Sequence, residues 1–233
     1  MTPVLVTGTD TGVGKTFVSR AILRALADAG LEPVPIKPVE TGLEPNTAGT
    51  LRSQDGALLR RASRTRLSED LVAPIRLRLA AAPSTAARAE GKSIPFTEVL
   101  TAVDRVRDNR PLVVEGAGGL LVPIGPDGSF ADLARALDAR IVIVARNALG
   151  TLNHTLLTLE AAKARSLDVA AVILNDGPAS HDDLPHRDEL RTLVRDTPIL
   201  GPMRSYPGAE DDQLAAAFLR DVTDVTTLAS WFS

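Results

Sequence analysis

The chain has 233 residues, 44% of them hydrophobic, enough for one sizeable α/β core, and residues 1–233 are expected to form a single domain. A net charge of −3, with both signs mixed along the sequence, leaves no electrostatic footprint for nucleic acid or an anionic membrane surface. Cysteine is absent, which excludes disulfides, thiolate metal sites and cysteine nucleophiles.

The first element is a strand, Val4-Leu5-Val6-Thr7, which runs directly into Gly8-Thr9-Asp10-Thr11-Gly12-Val13-Gly14-Lys15-Thr16. Helical periodicity follows from Phe17 to Ala29, with Val18, Ile22, Ala25, Leu26 and Ala29 on one stripe and a stop at Gly30. A strand that delivers a glycine-rich turn to a helix start aims several backbone N–H groups and the helix dipole at one point where phosphate oxygens can sit. Lys15 then reaches the β/γ-phosphates, and the Thr16 hydroxyl binds Mg²⁺. The strict pattern places glycine at position 9, which is Thr9 here, so Gly8 stands one residue further out.

A second strand, Val34 to Lys37, lies among prolines, and helices fit Gln54 to Ala62 and Thr97 to Asn109. The basic stretch Arg60, Arg61, Arg64 and Arg66 reads as a solvated helix end. Leu112 to Glu115 is the next strand, and Ile141 to Ala145 a fully apolar one. Thr151 to Arg165 is a helix, and Val169 to Leu174 a strand closed by Asn175-Asp176-Gly177. The alternation predicts an α/β fold: a single doubly wound, mostly parallel sheet with helices on both faces, of the phosphate-loop NTPase kind. No apolar run approaches the roughly 20 residues of a membrane helix, and the N-terminus reads as a core strand, so a soluble cytoplasmic chain is expected.

Ligands of such sheets bind beyond the carboxyl ends of the strands. There the sequence places the phosphate loop, Lys37, Glu115 with Gly116-Ala117-Gly118-Gly119, and Asn175. A carboxylate between an apolar run and glycines suits Mg²⁺, a hard ion that takes one or two carboxylates together with phosphate oxygens and water. Lys37 alone is equally a surface lysine at a strand end.

Taken together, the phosphate loop, Lys37-Pro38-Val39-x-Thr41-Gly42, Val114 to Gly119, Gly150-Thr151-Leu152-Asn153-His154 and Asn175-Asp176 resemble the dethiobiotin synthetase family. The likeness is weakest over 62–95 and from 178 onward. It implies an enzyme that takes 7,8-diaminopelargonate, CO₂, ATP and Mg²⁺. One amine is captured as a carbamate, ATP phosphorylates it to a mixed anhydride, and the neighbouring amine closes a five-membered cyclic urea.

The resemblance implies site roles as well. Lys15, Lys37 and Thr11 are catalytic, with Lys37 facing the carbamate and Thr11 and Thr41 offering hydroxyls. Gly12, Val13, Gly14, Lys15, Thr16 and Phe17, with Glu115, Gly116, Ala117 and Gly118, surround the phosphates, while Asn175 and Asp176 lie toward the base. Thr16, Asp55 and Glu115 hold Mg²⁺, Asp55 matching once one residue is inserted between 44 and 52. Gly150, Thr151, Leu152 and Asn153 open a helix that receives the substrate carboxylate from the other subunit, which implies a homodimer with its active site at the interface. Position 12 is Gly12 where some family members carry glutamate, Ser84 replaces a frequent histidine, and 201–206 is expected to pass near the base.

Two rivals share this core. A partition or septum-positioning switch ATPase carries a signature lysine five residues before Lys15, where this chain has Asp10. A glutamine-dependent amidoligase needs a cysteine to release ammonia.

Overall fold

The computed structural model describes residues 1–176, 184–204 and 208–233. In chain order its elements are β1 (Val4–Gly8), α1 (Lys15–Asp28), β2 (Val34–Ile36), β3 (Val39–Glu40), α2 (Asp55–Ala62), α3 (Glu69–Val72), β4 (Ile75–Arg76), α4 (Pro83–Ala89) and α5 (Phe96–Asp104). The second half adds β5 (Leu112–Gly119), α6 (Phe130–Leu137), β6 (Arg140–Arg146), α7 (Thr151–Lys163), β7 (Val169–Asn175), α8 (His186–Leu193), β8 (Ile199–Met203), α9 (Asp211–Asp221) and α10 (Val225–Ser230).

Six strands form one sheet in the order β2-β5-β1-β6-β7-β8, and every pairing in it is parallel. Alternate residues of each strand feed opposite cores: Leu5, Leu112 and Val114 face a cluster that includes Phe130, whereas Val4, Val6 and Val113 face one that includes Phe218. Strands buried on both faces explain the continuous apolar runs. Each fully buried Leu, Ile or Phe contributes roughly 1.5–3 kcal/mol, so these two layers supply the main stabilisation. The sheet grows from β1 toward β2 in the first half of the chain and toward β8 in the second, so the chain reverses direction around β1. Such a reversal opens a crevice at the carboxyl ends of the central strands.

The register places the chemistry there. Ile36 on β2 pairs with Val114 on β5, so the next residues, Lys37 and Glu115, meet side by side although 78 positions apart. A small parallel pair, β3 with β4, extends from this edge and carries Glu40. Sequence periodicity missed it, because two-residue strands have none to show.

Helix α1 ends as expected: Gly30 takes φ 78° and donates its N–H to the Ala27 carbonyl, a left-handed stop that favours glycine. The helix expected over 97–109 ends at Asp104 instead. Asp108 turns the chain there, its carboxylate accepting the Arg110 backbone N–H at 2.8 Å. Ser129 and Asp132 form a reciprocal capping box at the start of α6, an S-x-x-D signal that was present in the sequence. Among the described residues no helix is long and apolar enough to cross a membrane.

Candidate active site

The loop between β1 and α1 is built on glycines, for want of space at Gly8 and Gly14 and for backbone conformation at Gly12 and Gly14. A Cβ on Gly8 would lie 2.6 Å from the Asp10 carbonyl and 2.8 Å from Val13 Cγ2. Gly12 and Gly14 take φ of 72° and 95°. Gly14 caps α1 without a side-chain bond, so the first N–H groups of that helix point into the cleft with the positive end of the dipole. Behind the loop, Asn175 donates Nδ2 to the Val13 carbonyl at 3.0 Å, and a Cβ at Gly14 would collide with that amide. The Asn175 Oδ1 is buried without a partner.

Four elements converge in front of the loop. Thr16 donates its hydroxyl to Glu115 Oε1 at 2.7 Å. The Lys37 ammonium donates to the same oxygen at 2.6 Å and to the Gly116 carbonyl at 3.1 Å, and it pairs with Asp55 Oδ2 at 2.9 Å. Glu115 is fully buried, and its Oε2 has no partner. Lys15 lies 3.2 Å from the Asp10 carbonyl and is itself 7% exposed.

Two lysines in so small a volume influence each other. Burial, and then the neighbouring Lys37 charge, lower the Lys15 ammonium from its ordinary 10.5 to about 8, against the pull of Glu115, Asp55 and Asp10. For Lys37, burial works in the same downward direction, but Glu115 and Asp55 outweigh it and hold the proton more tightly than in an ordinary lysine.

A cleft of about 350 Å³ is bounded by Thr11, Gly12, Gly14, Lys15, Thr16, Lys37, Glu40, Thr41, Asp55, Ala117 and Gly118, and Glu115, fully buried, does not line it but is bonded to Thr16 and Lys37, which do. Most of the residues expected at the phosphates and the reacting centre therefore come together. Phe17 continues α1 just beyond it. Asp176 lies past the end of β7, where its backbone N–H donates to the Met203 carbonyl at 2.9 Å and its carboxylate accepts from Asn147 at 2.8 Å. Gly150, Thr151, Leu152 and Asn153 do not line this cleft in their own chain. They open α7 beside a second cleft of about 480 Å³ that meets the first at Thr11 and runs past Leu121, Val122, His154 and Leu157. Of the stretch expected near the base, 205 and 206 fall outside the described residues, as does Gly177.

A divalent ion fits the donors present. Glu115 has a buried carboxylate oxygen without a partner, the Thr16 hydroxyl is adjacent, and Asp55 lies across the Lys37 ammonium. Among the described residues no group of three or more His, Cys, Asp or Glu is arranged to hold a metal ion by itself. Two carboxylates and a hydroxyl suit an ion that completes its shell with phosphate oxygens and water.

Sequence reasoning missed Glu40, which lines the cleft at the end of β3 and is 3% exposed. The rule that singled out Glu115, a carboxylate ending an apolar strand, could not reach it, because β3 is only Val39–Glu40 and offers no apolar run.

A parallel α/β sheet with a glycine-built loop, a lysine and a threonine at the start of α1 defines a phosphate-loop nucleotide-binding protein. A family model described as an AAA domain matches residues 2–207. The septum site-determining protein MinD of Pyrococcus horikoshii, solved with Mg-ADP, superposes with a TM-score of 0.52 at 13% identity, covering 97% of this chain and 88% of that one. That likeness shows the fold alone. The chain is 41% identical over 202 residues to an ATP-dependent dethiobiotin synthetase BioD of Anaeromyxobacter, covering 85% of this chain and 88% of that one. It is 34% identical over 236 residues to the protein of that name from Thermodesulfovibrio yellowstonii, with 97% of each chain covered. The chain belongs to the dethiobiotin synthetase family, ATP-dependent ligases that form a C–N bond.

Proposed function

We propose that this cleft converts 7,8-diaminopelargonate, CO₂ and ATP into dethiobiotin, ADP and phosphate. The observation that carries the reading is the pair of buried lysines, Lys15 and Lys37, facing one cleft with Thr16 and Asp55, while the buried Glu115 holds Lys37 and Thr16. The reaction brings a carbamate anion against a triphosphate, and fixed cations lower the cost of that approach.

One substrate amine adds to the carbon of CO₂ and loses a proton, which gives the carbamate. A carbamate oxygen then attacks the γ-phosphorus, and the bond to the β-phosphate oxygen breaks to release ADP. The second amine attacks the carbamate carbon of the resulting anhydride, inorganic phosphate leaves, and the amine proton is lost as the ring closes. Lys15 balances charge on the γ-phosphate during transfer. Lys37, charged throughout the neutral range, faces the carbamate oxygens, and the hydroxyls of Thr11 and Thr41 orient them. Thr16, Glu115 and Asp55 are the residues for Mg²⁺, which when bound neutralises the phosphate oxygens. Phe17 and its preceding loop supply backbone N–H groups, and Asn175 and Asp176 lie on the side of the base.

The same reading includes a homodimer, with residues 150–153 of a second copy closing the site around the substrate carboxylate. In support, these residues lie outside the cleft of their own chain, and Leu149, Leu157 and Leu121 are 88%, 60% and 47% exposed around the α7 groove. A mass of two chains by light scattering is the expected result.

The deciding experiment measures ATP turnover with Mg²⁺ and bicarbonate, with and without the diamine, while mass spectrometry follows the cyclic urea. Diamine-dependent turnover that yields dethiobiotin is expected. Turnover indifferent to the diamine, without product, overturns the reading in favour of a switch ATPase.

A further inference from the structure

Glu40 accepts more hydrogen bonds than any other carboxylate around the cleft. Its Oε1 takes the backbone N–H groups of Gln54 and Asp55, each at 2.8 Å. Its Oε2 takes the Gly56 N–H at 3.3 Å and the Ser53 hydroxyl. The N-cap residue of α2, Gln54, makes no side-chain cap of its own, so the first turn of this helix is capped from another strand.

Position 53 is fixed a second time, because its backbone N–H donates to Glu69 Oε1 at 2.9 Å and its hydroxyl accepts from the Gly56 N–H at 2.8 Å. A Cβ on Gly56 would lie 2.7 Å from Ala73 Cβ, so the helix start is pressed against α3 and cannot slide. The residue presented by this held turn is Asp55, whose Oδ2 meets Lys37 at 2.9 Å.

Glu40 stands three residues after Lys37 and one before Thr41. The strand segment that supplies the carbamate-facing groups thus also determines where the Asp55 carboxylate stands. A buried anion at a helix N-terminus is itself favourable, since it faces the positive end of the dipole. That alone describes a fold-stabilising cap. Asp55 opening this turn, with its side chain inside the catalytic cluster, gives the cap a further consequence.

We propose that Glu40 is a positioning residue: it sets Asp55 against Lys37 and Glu115, and so tunes the affinity for metal-bound nucleotide without touching the reacting atoms. The proposal rests on the assignment of Asp55 to Mg²⁺ made above.

The test uses binding of a non-hydrolysable ATP analogue to the full chain, titrated with Mg²⁺, for wild type, Glu40→Gln, Asp55→Asn and the double variant. The melting temperature of each protein without nucleotide or metal is recorded alongside. Outer residues that orient metal ligands change metal affinity by about 10–100-fold, so Glu40→Gln is expected to raise the Mg²⁺ midpoint about tenfold. Added to Asp55→Asn it produces little further shift, because it acts through that carboxylate.

A purely structural cap lowers the melting temperature and leaves the Mg²⁺ midpoint within twofold of wild type, which overturns the proposal. So do two shifts that add in full, or an Asp55→Asn midpoint equal to wild type. Should Glu40→Gln fail to fold, Ser53→Ala, which removes one donor and keeps the carboxylate, carries the same titration with a smaller expected shift. Product formation by wild type is scored separately: absence of the cyclic urea with the Mg²⁺ coupling intact rejects the proposed reaction and leaves the role of Glu40 standing.

Discussion

Helix α2 takes part in two charge clusters, each around a buried carboxylate, and they are built differently. At its start, Asp55 joins Lys37, Glu115 and Thr16, where one Glu115 oxygen is buried without a partner. Toward its end, Arg61 joins Arg20 of α1 on Asp211, which opens α9. Asp211 accepts from Arg20 Nε at 2.8 Å and from Arg61 Nε at 2.7 Å, while Arg20 also reaches the Ala209 carbonyl at 3.2 Å. Both oxygens of Asp211 are used and its side chain is 4% exposed. A saturated cluster ties three helices together. One that leaves a buried oxygen unspent retains capacity for a ligand. Each holds a carboxylate that is almost fully buried, Glu115 in one and Asp211 in the other, so completeness of hydrogen bonding separates clamp from site.

The largest effect that would break this contrast is expected at the site. Lys37→Met keeps the volume and removes the cation, so dethiobiotin formation should fall about 10²–10³-fold, the scale of losing one preorganised transition-state donor. The measurement is single-turnover product formation at saturating ATP and diamine. Loss below tenfold would mean that Lys37 serves Glu115 only as a counterion. Glu115→Gln should also abolish most turnover, and raising Mg²⁺ should restore part of it.

How much of this was legible beforehand follows the range of each contact. The phosphate loop, α1 and the strands β1, β5, β6 and β7 were readable because their signals lie within a dozen residues: glycine spacing, an apolar stripe, unbroken apolar runs. The meeting of Lys37 with Glu115 was not readable from pattern. It follows from a parallel register between residues 78 positions apart; the strand pattern put both at the same end of the sheet, and only the family resemblance gave Lys37 a role there. Glu40 and Asp211 were missed for a related reason, since each closes contacts with backbone or arginines on other elements. Arg60, Arg61, Arg64 and Arg66 do lie exposed at and beyond the end of α2 as expected, yet Arg61 and Arg64 are engaged, with Asp211 and Asp28. No local signal distinguishes a solvated arginine from a bridging one.

The clamp gives the next prediction. Asp211→Asn leaves two arginines facing an amide, one of them 13% exposed, and should cost about 2 kcal/mol, the scale of losing charged hydrogen bonds whose partners retain some access to water. For a chain of this size that lowers the melting temperature by roughly 4–8 °C. Turnover at 25 °C should stay within about twofold of wild type, because the clamp does not touch the substrate cleft. A loss of turnover comparable with that of Lys37→Met would dissolve the distinction between the two clusters.

The smallest effect concerns pH, and its sign can be worked out. Burial pushes the Asp211 carboxyl up, but its bonds to Arg61 and Arg20 and their charges outweigh this and leave it below its ordinary 3.8. A carboxylate depressed on folding adds stability that is present above its unfolded value and is lost as pH falls through the folded one. The difference in urea midpoint between wild type and Asp211→Asn should therefore be flat from pH 7 to pH 5 and should narrow below about pH 4, where wild type takes up the proton. Asn carries no charge at any pH, so the variant supplies the baseline and other acid-sensitive groups cancel between the two curves. A gap that widened on acidification would show the folded carboxyl held above its unfolded value, burial outweighing the two arginines, and Asp211 would then not act as a clamp.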